Sequence, residues 1–319
     1  MIGKAFISIK RVLRRIFKKP LRMILVLAAL ALAACIFDGR IADLVRVRFR
    51  GISDGELEAH FIDVGQGDSV LIRTKENVIL VDAGTEESQY RLLLYLKSFG
   101  IKKIDCFVMT HPHADHIGGA RRILENFKIG TVVMCGSDST SVYLESALEV
   151  IDEKGIKLIE PIPGDTYGVG EISFRVLAPN EGEDTSGNDG SIVMKVMWGE
   201  TSFMLTGDAE SGSEAKILSV FQPEELKCDV LKAGHHGSYT STSDAFLDAV
   251  KPEWAVISCG RDNPYSHPHS ELLDRLRSHG IPDERILRTD RIGDIVFISD
   301  GKEVYLFGKR EKSADDSAA

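Results

Sequence analysis

The 319-residue chain contains no Cys-x-x-Cys pair among its five cysteines, Cys35, Cys106, Cys135, Cys228 and Cys259. That excludes a zinc ribbon and a thioredoxin-like redox motif. Cys106, Cys135 and Cys259 sit in apolar runs, the usual setting of a small buried hydrophobe, so no disulfide framework is expected. No internal repeat of about 20–50 residues is present, which excludes solenoids and propellers. With 43% hydrophobic and 27% charged residues, the chain as a whole is neither disordered nor low-complexity. At roughly 100–200 residues per domain, its length allows two domains, or one large α/β domain with appendages.

Positive charge is scarce outside the N-terminus. Residues 1–50 carry 12 Lys/Arg against 2 Asp/Glu, and the remainder 27 against 46, so the net charge of −9 divides into +10 and −19. A body at −19 is no electrostatic trap for nucleic acid. If it acts on phosphates, something other than Lys and Arg supplies the local positive charge. All nine histidines stand at or beyond His60, which points to metal.

Residues 4–19 are basic and amphipathic, with Phe6, Ile9, Leu13 and Ile16 at helical spacing, as suits a cytoplasmic membrane surface. Residues 23–37 form an uncharged apolar run of 15 residues. That is short of the ~20 residues of a spanning helix and long for a cleaved signal. Leu32-Ala33-Ala34-Cys35 resembles the lipobox of bacterial lipoproteins, whose cysteine is lipidated after cleavage. The basic lead and the bulky Ile36-Phe37 favour an uncleaved anchor. Either way the positive flank stays inside and the body lies outside. The expected organisation is a basic cytoplasmic segment over 1–19, a signal anchor or lipoprotein signal over 20–37 and a linker over 38–55. A folded domain over 56–308 and a disordered tail over 309–319 follow.

From Glu58 the pattern changes to short β-rich runs separated by Gly, Asp and Asn turns. Helical stretches are expected over 86–99, 118–127 and 140–154, and near 212–220, 243–250 and 270–279. Strands come both in meanders and in β–α units. That predicts an α/β sandwich of two mixed sheets with helices outside, rather than one doubly wound parallel sheet.

The polar clusters fall at strand ends. Thr110-His111-Pro112-His113-Ala114-Asp115-His116 puts four potential ligands within six residues after a buried strand, and imidazole with carboxylate suits zinc, manganese or iron. Asp208 ends an otherwise apolar strand. Lys232-Ala233-Gly234-His235-His236-Gly237-Ser238 follows another strand, and Lys232 carries no assigned role. His60 and His279 read as surface or core filler.

His-x-His-x-Asp-His after a strand, a later Gly-Asp and a downstream histidine resemble the metallo-β-lactamase fold superfamily. Val81-Asp82-Ala83-Gly84 looks like its first motif. Phe61-Ile62-Asp63-Val64-Gly65-Gln66-Gly67-Asp68-Ser69, the His-His-Gly-Ser run and Asn263-Pro264-Tyr265-Ser266-His267-Pro268-His269 narrow the resemblance. They look like the extracytoplasmic hydrolase domain of ComEC-type DNA-uptake (competence) proteins and their stand-alone relatives, over residues 56–308. The resemblance implies an αββα sandwich and two divalent metal ions. His111 and His113 would hold one ion, Asp115 and His116 the other, and Asp208 would bridge them. His236 would complete the second site, leaving His235 to support a ligand from behind or to contact substrate, with the reverse order of this pair still open. Asp63, Asp68 and Asp82 would support the metal loop from behind. One departure is the lack of a histidine between His116 and His235, where Asn188-Asp189-Gly190-Ser191 fits the Asn/Ser motif of the ComEC-like relatives. The first ion then has two imidazoles and a shared carboxylate, which shifts the expected metal toward manganese or loosely held zinc.

The expected function is that of an exported, membrane-anchored metal-dependent hydrolase. A phosphodiesterase or nuclease using hydroxide bridging two divalent ions leads, because the ions bring the positive charge the body lacks. Asp115 and Asp208 would carry the centre, and His235 and His267 would contact phosphate or protonate the leaving oxygen. The alternatives are a carboxylic ester, lactone or β-lactam hydrolase on the same site, and a non-catalytic anchored binding protein. DNA is a candidate substrate, the membrane is a partner through the N-terminal helix or a lipid on Cys35, and no stable protein partner is implied.

Overall fold

The hydrophobic alternation of the chain resolves into strands that bury one face against a second sheet and the other against helices. The computed structural model describes residues 50–180 and 185–307. The basic lead, the expected membrane segment over 20–37 and the tail over 309–319 lie outside the described residues. Among the described residues no helix is long and apolar enough to cross a membrane.

The strands are β1 (Leu57–Phe61), β2 (Val70–Arg73), β3 (Val78–Val81), β4 (Lys103–Val108) and β5 (Lys128–Val133). Next come β6 (Lys157–Ile159), β7 (Thr166–Val169), β8 (Ile172–Ala178), β9 (Val193–Trp198) and β10 (Thr201–Leu205). The chain continues through β11 (Val230–Lys232), β12 (Trp254–Ile257), β13 (Ile286–Arg288), β14 (Ile295–Ser299) and β15 (Val304–Leu306). One sheet runs β15-β14-β1-β2-β3-β4-β5-β6 and the other β13-β12-β11-β10-β9-β8-β7. Both are mixed. In the first, β14 to β3 pair antiparallel and β3 to β6 pair parallel. In the second, β7 to β10 pair antiparallel and β10 to β13 pair parallel. Parallel neighbours need long crossovers, and helices supply them. Gln89–Ser98, Ala120–Asn126 and Val142–Glu153 serve the first sheet, and Asp244–Val250 and Ser270–Ser278 the second.

Alternation is clear on β8. Ile172, Phe174 and Val176 are buried between the sheets, while Ser173 and Arg175 point the other way and are partly exposed. Phe297 of β14 meets Phe61 at 6.1 Å between ring centroids, and from the second sheet Phe203 at 6.5 Å and Trp254 at 5.5 Å. Each of the three fully buried phenyl rings contributes about 1.5–3 kcal/mol. On the outer face of the second sheet, Met204, Leu231 and Ala255 pack with Ile217, Phe246, Leu272 and Leu276 of the helices.

β1 is covered on both faces, so its outward polar residues must find partners. His60 takes the core alternative and is fully buried. Its Nδ1 lies 2.8 Å from the Tyr95 hydroxyl and its Nε2 3.0 Å from Glu58 Oε2, which also accepts from Arg73.

The helix expected over 118–127 is interrupted. One turn spans Ala114–Ile117, and a second helix starts at Ala120. The Gly118-Gly119 pair between them passes so close to the Ala83 carbonyl and the Thr85-Glu86 backbone that a Cβ would collide there. β6 and β13, three residues each, escape the sequence pattern because a strand that short carries less than two periods of alternation.

Candidate metal centre

The residues singled out in the sequence arrive from both sheets at one edge. They follow the C-terminal ends of β3, β4, β10, β11 and β12, or lie in the segments before β2 and β9. Four of the residues there adopt positive φ without being glycine: Asp82 (58°), His235 (46°), His236 (54°) and Ser266 (60°). Such conformations cost of order 1–3 kcal/mol each and persist where surrounding contacts over-determine them.

Asp82 organises the histidine loop. Its Oδ1 accepts the Thr110 backbone N–H at 2.8 Å. Its Oδ2 accepts the Thr110 hydroxyl at 2.7 Å and the Nδ1–H of His116 at 2.7 Å. That fixes the imidazole with Nε2 facing inward, 3.1 Å from Oδ1 of Asp208. The Ser191 hydroxyl lies 3.2 Å from Nδ1 of His111 and accepts the backbone N–H of Asp208 at 3.0 Å. Nε2 of His111 then lies 3.9 Å from Oδ2 of Asp208. The His111 ring stands 4.5 Å from that of His113 and 4.1 Å from that of His116. His236 places Nδ1 at 3.0 Å from the Ser258 carbonyl and Nε2 at 3.2 Å from Asp115 and 3.3 Å from Asp208.

This donor set fits divalent ions. Nε2 of His111, Nε2 of His116 and Oδ1 of Asp208 are buried without a hydrogen bond, an expensive condition unless something else satisfies them. Two donors on one tetrahedral ion at about 2.0–2.1 Å lie roughly 3.4 Å apart, and the Asp208, His116, His236 and Asp115 donors meet at 3.1–3.3 Å. His111 and His113 with Asp208 could hold one ion, and Asp115, His116 and His236 with Asp208 a second. Asp68, His116, Asp208 and His236 offer donor atoms within 4.8 Å of one another. Asp68, however, lies on the Nδ1 side of His236, at 3.4 Å, and pairs with Lys232 at 2.5 Å. It supports the histidines from behind.

Electrostatics follow from burial against charge. Burial disfavours charge on His116, yet the carboxylates of Asp208 and Asp82 prevail and hold it well above its ordinary range. Burial likewise opposes charge on His236, and Asp208, Asp115 and Asp68 outweigh it. Against its burial, the two imidazoles hold Asp208 well below the usual carboxylate range. His111 is pushed the other way, by burial and then by His116, and stays neutral.

His235 and His236 are separated in role by geometry. His236 is buried at the cluster, whereas a quarter of the His235 side chain is exposed. His235 Nδ1 lies 2.9 Å from Glu210 Oε1, and its Nε2 lies 4.0 Å from Asp208. Glu210 also accepts from Asn188 at 3.2 Å and from the Thr240 hydroxyl at 3.0 Å. Sequence reasoning passed over Glu210, and a carboxylate two residues after Asp208 was the available signal. His267 stacks under Tyr265 with centroids 5.7 Å apart, 5.4 Å from the ring of His235. Burial and the neighbouring imidazoles of His236, His235 and His269 push it down to about 4, so it is neutral near pH 7. A neutral imidazole there can offer a hydrogen bond but has no imidazolium proton to give.

Asp63 departs from its expected place behind the metal loop. Its carboxylate accepts the Gly65 N–H at 3.1 Å and pairs with Arg91 at 3.2 Å, closing the turn instead.

An open cleft of about 670 Å³ lies over the cluster. It is lined by His113, Asp115, Asp208, His235, His236 and His267 together with Ser139, Thr140, Ser141, Tyr143 and Tyr265. Among the described residues lining it there is neither Lys nor Arg.

The family model described as the metallo-beta-lactamase superfamily matches residues 62–261. ComE operon protein 3 of Bacillus subtilis is 34% identical, over 77% of this chain and 33% of its own length. Competence protein ComA of Neisseria gonorrhoeae is 31% identical, over 81% of this chain and 34% of its own. The chain thus spans about a third of the length of these relatives. Among solved structures, the metallo-beta-lactamase fold protein YhfI from Bacillus subtilis shares the fold at a TM-score of 0.51 and 14% identity, covering 76% of this chain and 100% of YhfI.

Proposed function

The chain belongs to the metallo-β-lactamase superfamily, and on that premise we propose that it is a metal-dependent phosphodiesterase whose substrates include single-stranded nucleic acid. The observation that carries this reading is the convergence of the inward donors of His111, His116 and Asp208, buried without a hydrogen bond, where Asp208 lines an open cleft. Divalent ions held there, zinc or manganese, would acidify water and offset the charge of a phosphodiester.

The chain's own residues supply the rest. Asp82 and Ser191 orient His116 and His111 so that their Nε2 atoms face inward. Glu210 holds Nδ1 of His235, which leaves Nε2 over the cleft to give a proton to the leaving oxygen. Neutral His267 and Gln66, 3.4 Å apart, offer hydrogen bonds in the same cleft. Tyr143 and Tyr265 offer aromatic faces on which an unstacked base can rest.

The open, hydroxyl-rich cleft favours a diester over a small ester or lactam, which calls for an enclosed apolar pocket. Similarity to proteins named for competence supports a nucleic-acid substrate. The basic lead and apolar run support an anchored, extracytoplasmic placement.

The test is an assay of residues 50–319 with manganese or zinc on bis-(p-nitrophenyl) phosphate, single-stranded DNA, p-nitrophenyl acetate and a chromogenic β-lactam. Diester turnover abolished by a chelator is expected. Turnover of the ester or lactam alone would transfer the reading to that class. No turnover in a metal-loaded sample would leave a binding protein.

A further inference from the structure

Lys232, the last residue of β11, is 1% exposed, an unusual place for a lysine. Its ammonium has two close partners. Nζ lies 2.5 Å from Oδ2 of Asp68 and donates to the Gly207 carbonyl at 2.7 Å, with Oδ1 of Asp208 at 3.9 Å. Asp68 belongs to the turn between β1 and β2 of the first sheet, and Gly207 to the turn after β10 of the second. One buried cation therefore joins the two sheets directly beneath the candidate metal centre.

Both joined segments carry donors. The backbone N–H of Asp68 donates to the Asp115 carbonyl at 3.1 Å, and Oδ1 of Asp68 lies 3.4 Å from Nδ1 of His236. Gly207 immediately precedes Asp208 and holds φ at +52°, packed against Ser191 and Thr110. Asp68, Asp82 and Asp208 are all buried around this point. Three carboxylates this close repel one another when no fixed cation stands between them.

We propose that Lys232 is a positioning residue of the metal centre: by holding Asp68 and the Gly207 carbonyl together, it fixes the stance of Asp208 and of His236 whether or not an ion is present. It also keeps one Asp68 oxygen occupied, so that Asp68 stays behind His236, whose Nδ1 meets the Ser258 carbonyl, rather than joining the donors. The proposal rests on the metal-binding part of the function proposed above.

The experiment uses the full chain with Lys232→Met, Asp68→Asn and the double variant. Co2+ affinity is read by competition with a chromophoric chelator, the visible spectrum of the Co2+ form is recorded, and unfolding is followed in chelator. Each single variant is expected to weaken Co2+ binding about 10–100-fold and to alter the visible bands, and the double variant to lose no more than Lys232→Met alone. Should Lys232→Met fail to fold, Lys232→Arg, which keeps the charge but not the compact ammonium, is read in its place with the same expected loss. Variants that unfold more readily in chelator yet bind Co2+ as the wild type does, with unchanged bands, would reduce the pair to a structural clasp and overturn the proposal. Multiplicative losses in the double variant would overturn it as well. A wild-type chain that binds no Co2+, Mn2+ or Zn2+ would overturn the metal reading and this inference together. Wild-type binding beside unaffected variants would overturn this inference alone.

Discussion

Asp82 and His116 stand 34 residues apart in the chain and 2.7 Å apart in the structure, joined from carboxylate to Nδ1 with both side chains fully enclosed. The bond commits the opposite nitrogen of His116 to the cluster. Asp82→Ala is expected to lower divalent-metal affinity about 10–100-fold, the usual effect of removing the partner that orients a ligating histidine. Chelator competition checks it, and undiminished affinity would remove Asp82 from the centre.

Asp208 is the side chain that His111, His116 and His236 all face. Asp208→Asn keeps its shape and loses its charge. Phosphodiester turnover should fall more than about 100-fold, together with the bound metal, while circular dichroism stays unchanged. Elemental analysis that found full metal content in the variant would refute a shared carboxylate.

Metal uptake should release protons. His116 and His236 carry raised pKa values in the metal-free chain, so their stabilising contribution is fully present below about pH 6.5 and is lost as pH rises through the raised values. Asp208, with a lowered value, contributes above about pH 3.9 and loses that contribution as pH falls through its folded pKa. An ion requires neutral imidazole, so affinity should climb with pH up to the raised values, with protons expelled on binding at pH 7. Titration calorimetry in buffers of different ionisation enthalpy measures this, and ion binding without proton release at pH 7 would contradict it.

Glu210→Gln tests the acid role of His235. Cleavage of a diester with a poor alkoxide leaving group should slow about 100-fold, because that oxygen needs a proton. Bis-(p-nitrophenyl) phosphate, whose leaving group needs none, should be nearly unaffected. Equal losses on both substrates would assign Glu210 to loop support only.

The described cysteines are predicted to be unreactive. Burial first, and then Asp105, Glu160 and Asp290 respectively, push Cys106, Cys135 and Cys259 up to about 12, and Cys228 is raised as well. In a Cys35→Ser variant of the full chain, a disulfide reagent at pH 8 should label no thiol until denaturant is added. Rapid labelling of the native variant would show that one of these sites opens.

The mixed sandwich and most of its strands were legible because apolar alternation and Gly/Asp turns are local properties. The histidine loop was legible for a similar reason, since dense imidazole and carboxylate spacing after a buried strand is itself a chemical signal. The sequence by itself therefore determined which residue types could hold metal and which strands present them. It left open which of His235 and His236 faces the cluster, because adjacent residues are told apart only by the positive-φ turn that buries one and leaves the other over the cleft. Lys232 reads on paper as a strand lysine. Only the meeting of the two sheets gives it Asp68, 164 positions earlier in the chain, and the Gly207 carbonyl. Asp63 and Asp68 look equivalent around their glycine turn, yet one pairs with Arg91 and the other reaches the centre. Tertiary structure decided these assignments because the energy of a buried charge depends on which groups surround it in space, and no local pattern encodes that.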